Sequence, residues 1–367
     1  MILAHKIRLS PTAQQREYFA CACGVSRFCW NWALEHWEAE HLAGGKPSGF
    51  ALAREFNAVY REQYPWVAEV ARECHGRPFL TLQAAFQSFF KSKTKRPRFH
   101  KKGRKDSFYV GNEGVQFEGN RVRLPRIGWV KMEESLRLTG KVMAASVSRL
   151  ADWWFLSVQV EVGDLKKQRR LDGVIGVDVG LTAFATLSTG EKIEAPKPLA
   201  RSLRRLQMHS RRLSRKVKGS KNREKQARRV ARIHYHTAEI RNDFIQKLTT
   251  RLCRENQTVA VERLHVAGMV RNRCLARAIS DAGWAEFKRQ LEYKAVLYGT
   301  HLVIADPFYP SSKTCSVCGC IRESLALSER VFHCESCGAV LDRDHNAALN
   351  LRTLGQRGSN ACGEQLL

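Results

Sequence analysis

Two kinds of side chain in this sequence are spaced for chemistry, and the plainer of them is a cysteine quartet. Cys315 and Cys318 form one C-x-x-C pair in "CSVC", Cys334 and Cys337 form another in "CESC", and fifteen residues lie between the pairs. Two thiolates on a tight knuckle grip one cation, and two knuckles complete a tetrahedral zinc site with each sulfur ~2.3 Å from the ion. A lone pair could be redox-active; two matched pairs argue for metal. Gly319 and Gly338 each follow the second cysteine of a pair, where a knuckle turn favours positive φ. Cys320 and His333 lie near enough to substitute as ligands. Cys21, Cys23, Cys29 and Cys253 lack ligand spacing and read as small apolar residues.

The second kind is a set of acids. "GVIGVDVGLTAFATL", residues 173–187, reads as a buried strand with one carboxylate, Asp178, in its middle. Burying an unpartnered carboxylate costs roughly several kcal/mol, so it needs a partner or a metal. Glu262 lies near the end of the strand "TVAVERL", and Asp342 and Asp344 precede the helix start "NAALNL". Singly, each has a bland explanation: a partnered core acid, a strand-end charge, a helix cap drawn from Asp342, Asp344 or Asn346. Together, two strand-borne acids and one acid at a helix start can converge on two hard cations. Cations ~3.5–4 Å apart activate a water and stabilise the leaving oxygen in phosphodiester hydrolysis. Oxygen ligands suit Mg²⁺ or Mn²⁺. Spacing does not choose between Asp342 and Asp344. No G-x-x-x-x-G-K-[ST] loop is present, so ATP hydrolysis is not indicated.

The elements that must carry these residues belong to a chain of 367 residues, enough for two or three domains, with 44% hydrophobic residues to fill their cores. Its 62 basic against 35 acidic residues give a formal charge of +27. Such an excess points to a polyanion, nucleic acid before an anionic membrane. No apolar run approaches the ~18 residues of a spanning helix, and "MILAHKIRLSPT" has no secretion signal. Twelve cysteines without such a signal imply a reducing compartment, the cytoplasm.

"AHKIRLSPT" alternates as a strand, and residues 11–40 read as a helix interrupted at Gly24. Phe19, Phe28, Trp30, Trp32 and Trp37 suit a helical core better than base stacking. Helical pattern over 49–95 gives way to the basic stretch "KSKTKRPRFHKKGRKDSF", then to strands over 107–162 with a hairpin at Gly119-Asn120. A charged linker at 163–173 marks the domain boundary. Beyond it come a strand and hairpin, then two helices. Between Arg201 and Arg232 these helices carry fourteen Lys/Arg and one acid, Glu224. Like charges crowded on one face predict an anionic partner. "TVAVERL", "DAGWAEFKRQLEYKAVLYG" and "THLVIAD" alternate as strand, helix, strand, the texture of an α/β layer. "GQRGSNACGEQLL" reads as a frayed tail.

"GVDVGL", "VAVERLHVAGMVRNRCLARAISDAGWAEFKRQLEYKA" and "SSKTCSVCG…CESCGAVLDRDHNAALNL" together resemble the TnpB proteins of bacterial insertion sequences, RNA-guided DNA endonucleases related to the type V CRISPR effectors. "IRLSPTAQQREYFACACGVSRFCWNWAL" and "RPRFHKKGRKDSF" extend the resemblance into the first half. The resemblance implies an α+β multidomain fold. A wedge β-barrel would comprise 1–10 and 96–165, interrupted by a helical recognition insertion over 11–95. An α/β RNase H-like (RuvC) nuclease domain would follow over 166–367, with a basic helical hairpin at 199–254 and an inserted zinc ribbon at 311–340. It implies Asp178, Glu262 and, in preference to Asp342, Asp344 as magnesium ligands and catalytic acids, with the cysteine quartet holding structural zinc. Val179 stands where the family often has Leu. The implied activity is Mg²⁺- or Mn²⁺-dependent, RNA-guided cleavage of DNA by a bacterial, cytoplasmic protein, monomeric on its RNA. The implied partners are a guide RNA and a double-stranded DNA target, with no membrane. Gln83, Arg98, Lys101, Lys102, Arg204, Arg205, Arg211, Arg212 and Arg228 are expected to meet nucleic acid, Gln83 and Arg98 near a short flanking motif. The competing expectations are a catalytically silent RNA-guided DNA-binding protein and a DNA transposase using the same acids for strand transfer.

Overall fold

Polar–apolar alternation makes "ILAHKIRLS" the strand β1 (Ile2–Ser10), which buries Ile7 and Leu9. The computed structural model describes residues 1–163, 173–326 and 328–363. They divide into two compact units, 1–164 and 165–367. Most of the expected linker at 163–173 lies outside the described residues.

In the first unit, β1 is followed by α1 (Ala13–Leu42), α2 (Gly49–Gln63) and α3 (Arg72–Phe90). The strands β2 (Ser107–Gly111), β3 (Gln116–Glu118), β4 (Arg121–Leu124), β5 (Gly128–Met132), β6 (Lys141–Leu150) and β7 (Trp153–Glu161) come next. Where a barrel is expected, these strands form a seven-stranded antiparallel sheet of order β2-β6-β7-β1-β5-β4-β3. The Gly119-Asn120 hairpin joins β3 to β4, with Glu118 opposite Arg121. Gly24 does not interrupt α1. The helix starts from a reciprocal Thr12/Gln15 capping box and is held by aromatic packing on both sides. The Phe19 ring lies 5.1 Å from that of Trp154 on β7, and Trp37 stacks on Phe86 of α3 at 4.6 Å. Trp30, Trp32 and Trp37 are all buried.

The second unit contains β8 (Val174–Val179), β9 (Ala185–Leu187), β10 (Lys192–Ile193), α4 (Pro198–Ser214), α5 (Lys221–Glu255) and β11 (Thr258–Val261). After these come α6 (Val266–Met269), α7 (Ala276–Ala282), α8 (Trp284–Tyr298), β12 (His301–Ile304), β13 (Val331–His333), β14 (Val340–Asp342) and α9 (Arg343–Gly363). A five-stranded sheet has the order β10-β9-β8-β11-β12, with β8, β11 and β12 parallel and β9 and β10 antiparallel. Side-chain alternation sends Ile175, Val177, Val259 and Val261 into the apolar layer shared with Ile245, Leu248 and Leu252 of α5 and with Phe287 and Leu291 of α8. The opposite face is covered by α9.

That face explains an expectation that fails. The residues read as a frayed tail continue α9 to Gly363, and 364–367 lie outside the described residues. Gly355 is no helix breaker here. A Cβ at that position would sit 2.7 Å from Val174 Cγ1 and 3.1 Å from Ala260 Cβ, so its bare backbone lets the helix lie directly on the sheet. Among the described residues no helix is long and apolar enough to cross a membrane.

Candidate functional site

The register of β8 and β11 positions the first two acids. Val177 pairs with Val261, so one step further Asp178 and Glu262 are lateral neighbours on the same face, on strands about 5 Å apart. They lie at the carboxyl ends of the parallel strands, the edge where open α/β sheets bind ligands.

The third acid comes from above. Gly176 shares a face with Asp178, and a Cβ there would lie 2.0 Å from Ala348 O and 2.5 Å from Arg352 N. Helix α9 therefore rests on the strand backbone at this point. Counting back one turn from Ala348 to Asp344 moves ~6 Å along the helix, and counting forward from Gly176 to Asp178 moves ~6.6 Å along the strand. Because Gly355 lies over Val174, helix and strand run in opposite directions, so the two steps point the same way and bring Asp344 over Asp178.

Electrostatics agree with this convergence. Burial, then the charges of Glu262 and Asp344, hold the Asp178 carboxyl well above the usual carboxylate range, with Arg343 opposing them. Asp178 is buried, and its carboxyl receives no hydrogen bond among the described residues. Glu262 accepts one from Ser311 Oγ at 2.5 Å. Asp344 lies 3.6 Å from Arg343 Nε. Asp342 is committed elsewhere: it accepts from the His345 backbone N–H at 3.0 Å, as the cap of α9, and from Lys192 Nζ at 2.7 Å. A buried carboxyl without a donor, facing two more carboxylates, is the donor set of hard divalent cations.

Among the described residues, the one group of three or more potential ligand atoms all within 4.8 Å of one another is Cys315, Cys318, Cys334 and Cys337. The carboxylates are thus set wider than a cage for one ion. Within the quartet, Cys315 Sγ lies 3.7 Å from Cys337 Sγ, and Cys318 Sγ lies 3.5 Å from Cys334 Sγ. A zinc tetrahedron with ~2.3 Å bonds has sulfur–sulfur edges of about 3.8 Å, so the thiols fit zinc as they stand. Gly319 and Gly338 have φ of 79° and 70°, as the knuckles require. Cys320 and His333 are outside the group.

The basic residues are displayed at the surface. Arg98, Lys101 and Lys102 are exposed on a loop pinned to α1: Trp30 Nε1 donates to Arg98 O at 3.0 Å, and Asn31 exchanges two hydrogen bonds with His100. Trp30 also stacks on His100 at 4.3 Å. The tryptophan helix thereby acts as a mount for the basic loop, a function its composition did not disclose. Gln83 is half-buried, and its Oε1 accepts from the Gly49 backbone N–H at 2.7 Å, steadying the start of α2. Arg204, Arg205, Arg211, Arg212 and Arg228 are exposed on α4 and α5. Arg204, Arg205, Arg211 and Arg212 line one shallow depression with Arg201 and Arg215. Asp281 holds the base of this hairpin, its two oxygens accepting from the backbone N–H groups of Leu199 and Ala200 at 2.9 Å each. Ser311, Asp281 and Gly176 went unassigned in the sequence. Only Gly176 carried a local signal there, a glycine within an otherwise apolar strand.

Residues 157–273 match a family model described as "Probable transposase", residues 284–351 one described as "Cas12f1-like, TNB domain", and residues 1–46 one described as "Helix-turn-helix domain". The last stretch is here a strand and one long helix. The chain is 38% identical to a Streptomyces pristinaespiralis protein named "Putative RNA-guided DNA endonuclease", over 98% of this chain and 91% of that one. It is 30% identical to "Putative RNA-guided DNA endonuclease InsQ" of Escherichia coli K12, over 99% and 94%. It is also 26% identical to "TnpB-like protein L79" of Acanthamoeba polyphaga mimivirus, over 49% and 37%.

Proposed function

This chain belongs to the TnpB family, and on that premise we propose that it is a bacterial, cytoplasmic RNA-guided DNA endonuclease that hydrolyses phosphodiester bonds at Asp178, Glu262 and Asp344. The observation that carries the reading is the convergence of these three acids where β8 and β11 end beneath the start of α9. The sheet order, with two antiparallel strands flanking a parallel core, supports an RNase H-like, RuvC-type nuclease domain. The seven-stranded sheet and its helices support a wedge with a recognition insertion.

Asp178, Glu262 and Asp344 would hold Mg²⁺ or Mn²⁺, which would supply a nucleophilic water and charge neutralisation at phosphorus. The chain's own part is geometric. Parallel pairing fixes the spacing of Asp178 and Glu262, and Gly176 admits the helix that brings Asp344. The four cysteines would hold a structural zinc, closing a segment too short to form a core of its own. The basic loop at 91–105 and the α4–α5 hairpin would hold the phosphates of a guide RNA and of its hybrid with DNA by charge, leaving sequence to base pairing. The protein would act as a monomer on its RNA.

The test is cleavage of a guide-matched duplex by the protein purified with its RNA, in Mg²⁺. We expect cutting by the wild type, background levels from Asp178→Ala, and equal RNA in both preparations. Undiminished cutting by Asp178→Ala would overturn the assignment, and joined products formed without RNA would favour a transposase.

A further inference from the structure

We propose that Ser311 is a positioning residue for Glu262, and that Asn346 and Asn350 build it into one rigid block with the cysteine quartet and the helix that carries Asp344. The inference rests on the metal-carboxylate reading above.

Ser311 is 3% exposed, and its Oγ donates to Glu262 Oε1 at 2.5 Å. A hydroxyl donor fixes the carboxylate's rotation, and so the direction in which its oxygens are presented to a cation. The backbone that carries this hydroxyl is itself held from both sides. Ser311 donates its backbone N–H to Tyr309 O at 2.8 Å, and its carbonyl accepts from Asn350 Nδ2 at 2.8 Å. Asn350 Nδ2 also donates to Thr314 O at 2.6 Å.

One turn earlier on α9, Asn346 completes the fastening. Its Nδ2 donates to Thr314 O at 2.7 Å, and its Oδ1 accepts from the Ser316 backbone N–H at 2.9 Å. Both asparagines are buried, Asn346 fully. Thr314 and Ser316 flank Cys315, the first thiol of the quartet. The stretch 311–316 therefore touches Glu262 at one end and carries a zinc ligand at the other, and is bonded along its length to the helix bearing Asp344. With Asn346 meeting both an acceptor and a donor on the strap, and Asn350 donating to two of its carbonyls, the strap is allowed one placement. Hydrogen-bond partners of ligating carboxylates typically change metal affinity by about 10–100-fold when removed.

The test uses the full chain with its co-purified RNA and compares wild type, Ser311→Ala, Glu262→Gln and the double variant. Mn²⁺ binding is read by the loss of the free-ion paramagnetic resonance signal, cleavage is read against Mg²⁺ concentration, and zinc content and RNA content serve as the check on folding. We expect Ser311→Ala to keep its zinc and RNA, to bind Mn²⁺ about tenfold more weakly, and to need correspondingly more Mg²⁺ while reaching nearly the wild-type rate at saturation. In the Glu262→Gln background the serine change should add nothing, because its effect passes through Glu262. Unaltered Mn²⁺ affinity and Mg²⁺ midpoint in Ser311→Ala, or full additivity in the double variant, would overturn the proposal. Should Asp178→Ala bind Mn²⁺ as tightly as the wild type, the underlying reading fails, and this one with it.

Discussion

Asp342 and Asp344 are two residues apart, both precede the same helix, and only their partners separate them. Asp342 spends one oxygen on the His345 N–H and the other on Lys192, whereas the charge of Asp344 acts on Asp178 more strongly than that of Asp342. Asp344→Ala should abolish cleavage with little change in melting temperature. Asp342→Ala should cost about 1 kcal/mol through the lost helix cap, since an exposed ion pair adds little, and should leave cleavage largely intact. Parallel nicking assays and thermal melts check both. Residue types and spacing made the cysteine quartet legible, because a zinc knuckle is a local object. Spacing could not choose between the two aspartates, because the choice depends on Lys192, which is 150 residues away. Resemblance to a family prefers Asp344 without supplying a physical reason; the separate partners of Asp342 offer one.

Among the elements, the α4–α5 hairpin shows most clearly what local patterning reveals and what it hides. Helical spacing and the break at Gly219 disclose both helices. The way α4 is fastened is not disclosed: Asp281, within the run "ISDAGW", reaches the first two free N–H groups of a helix that begins about eighty residues earlier. A carboxylate at a helix start is favoured both by its hydrogen bonds and by the helix dipole. Asp281→Ala should cost about 1–2 kcal/mol and free the hairpin base, seen as faster proteolysis between residues 199 and 220 and weaker RNA retention with the zinc content unchanged. The tail misread as frayed fails for a related reason. In isolation a glycine is a helix breaker, and only the sheet beneath α9 makes Gly355 a site of close approach.

For the molecule as a whole, charge is the property that composition reported most faithfully. An excess of +27 points to a polyanion, and the structure displays Arg204, Arg205, Arg211 and Arg212 along one depression, with no acidic side chain paired to them among the described residues. Replacing all four by alanine should make the plot of log affinity against log salt shallower by up to about three, at ~0.7 per phosphate contact on single-stranded RNA. Filter binding at several salt concentrations measures this slope. An unchanged slope would move the RNA contact elsewhere. Composition points to a class of partner but not to the surface that would meet it, because surface depends on which helix faces are spent on the core.

Gly176 also bears on how relatives of this protein can fall silent. Adding one methyl there forces α9 off the strand, at about 1–3 kcal/mol for an overfilled contact, and lifts Asp344 away from its two companions. Gly176→Ala should still fold, retain zinc and RNA, and occupy matched DNA in a mobility-shift assay, yet cut it poorly. An inventory of acids therefore cannot by itself separate working copies from dormant ones: a homologue can keep every charged ligand and be disarmed by a single carbon in the floor of the site.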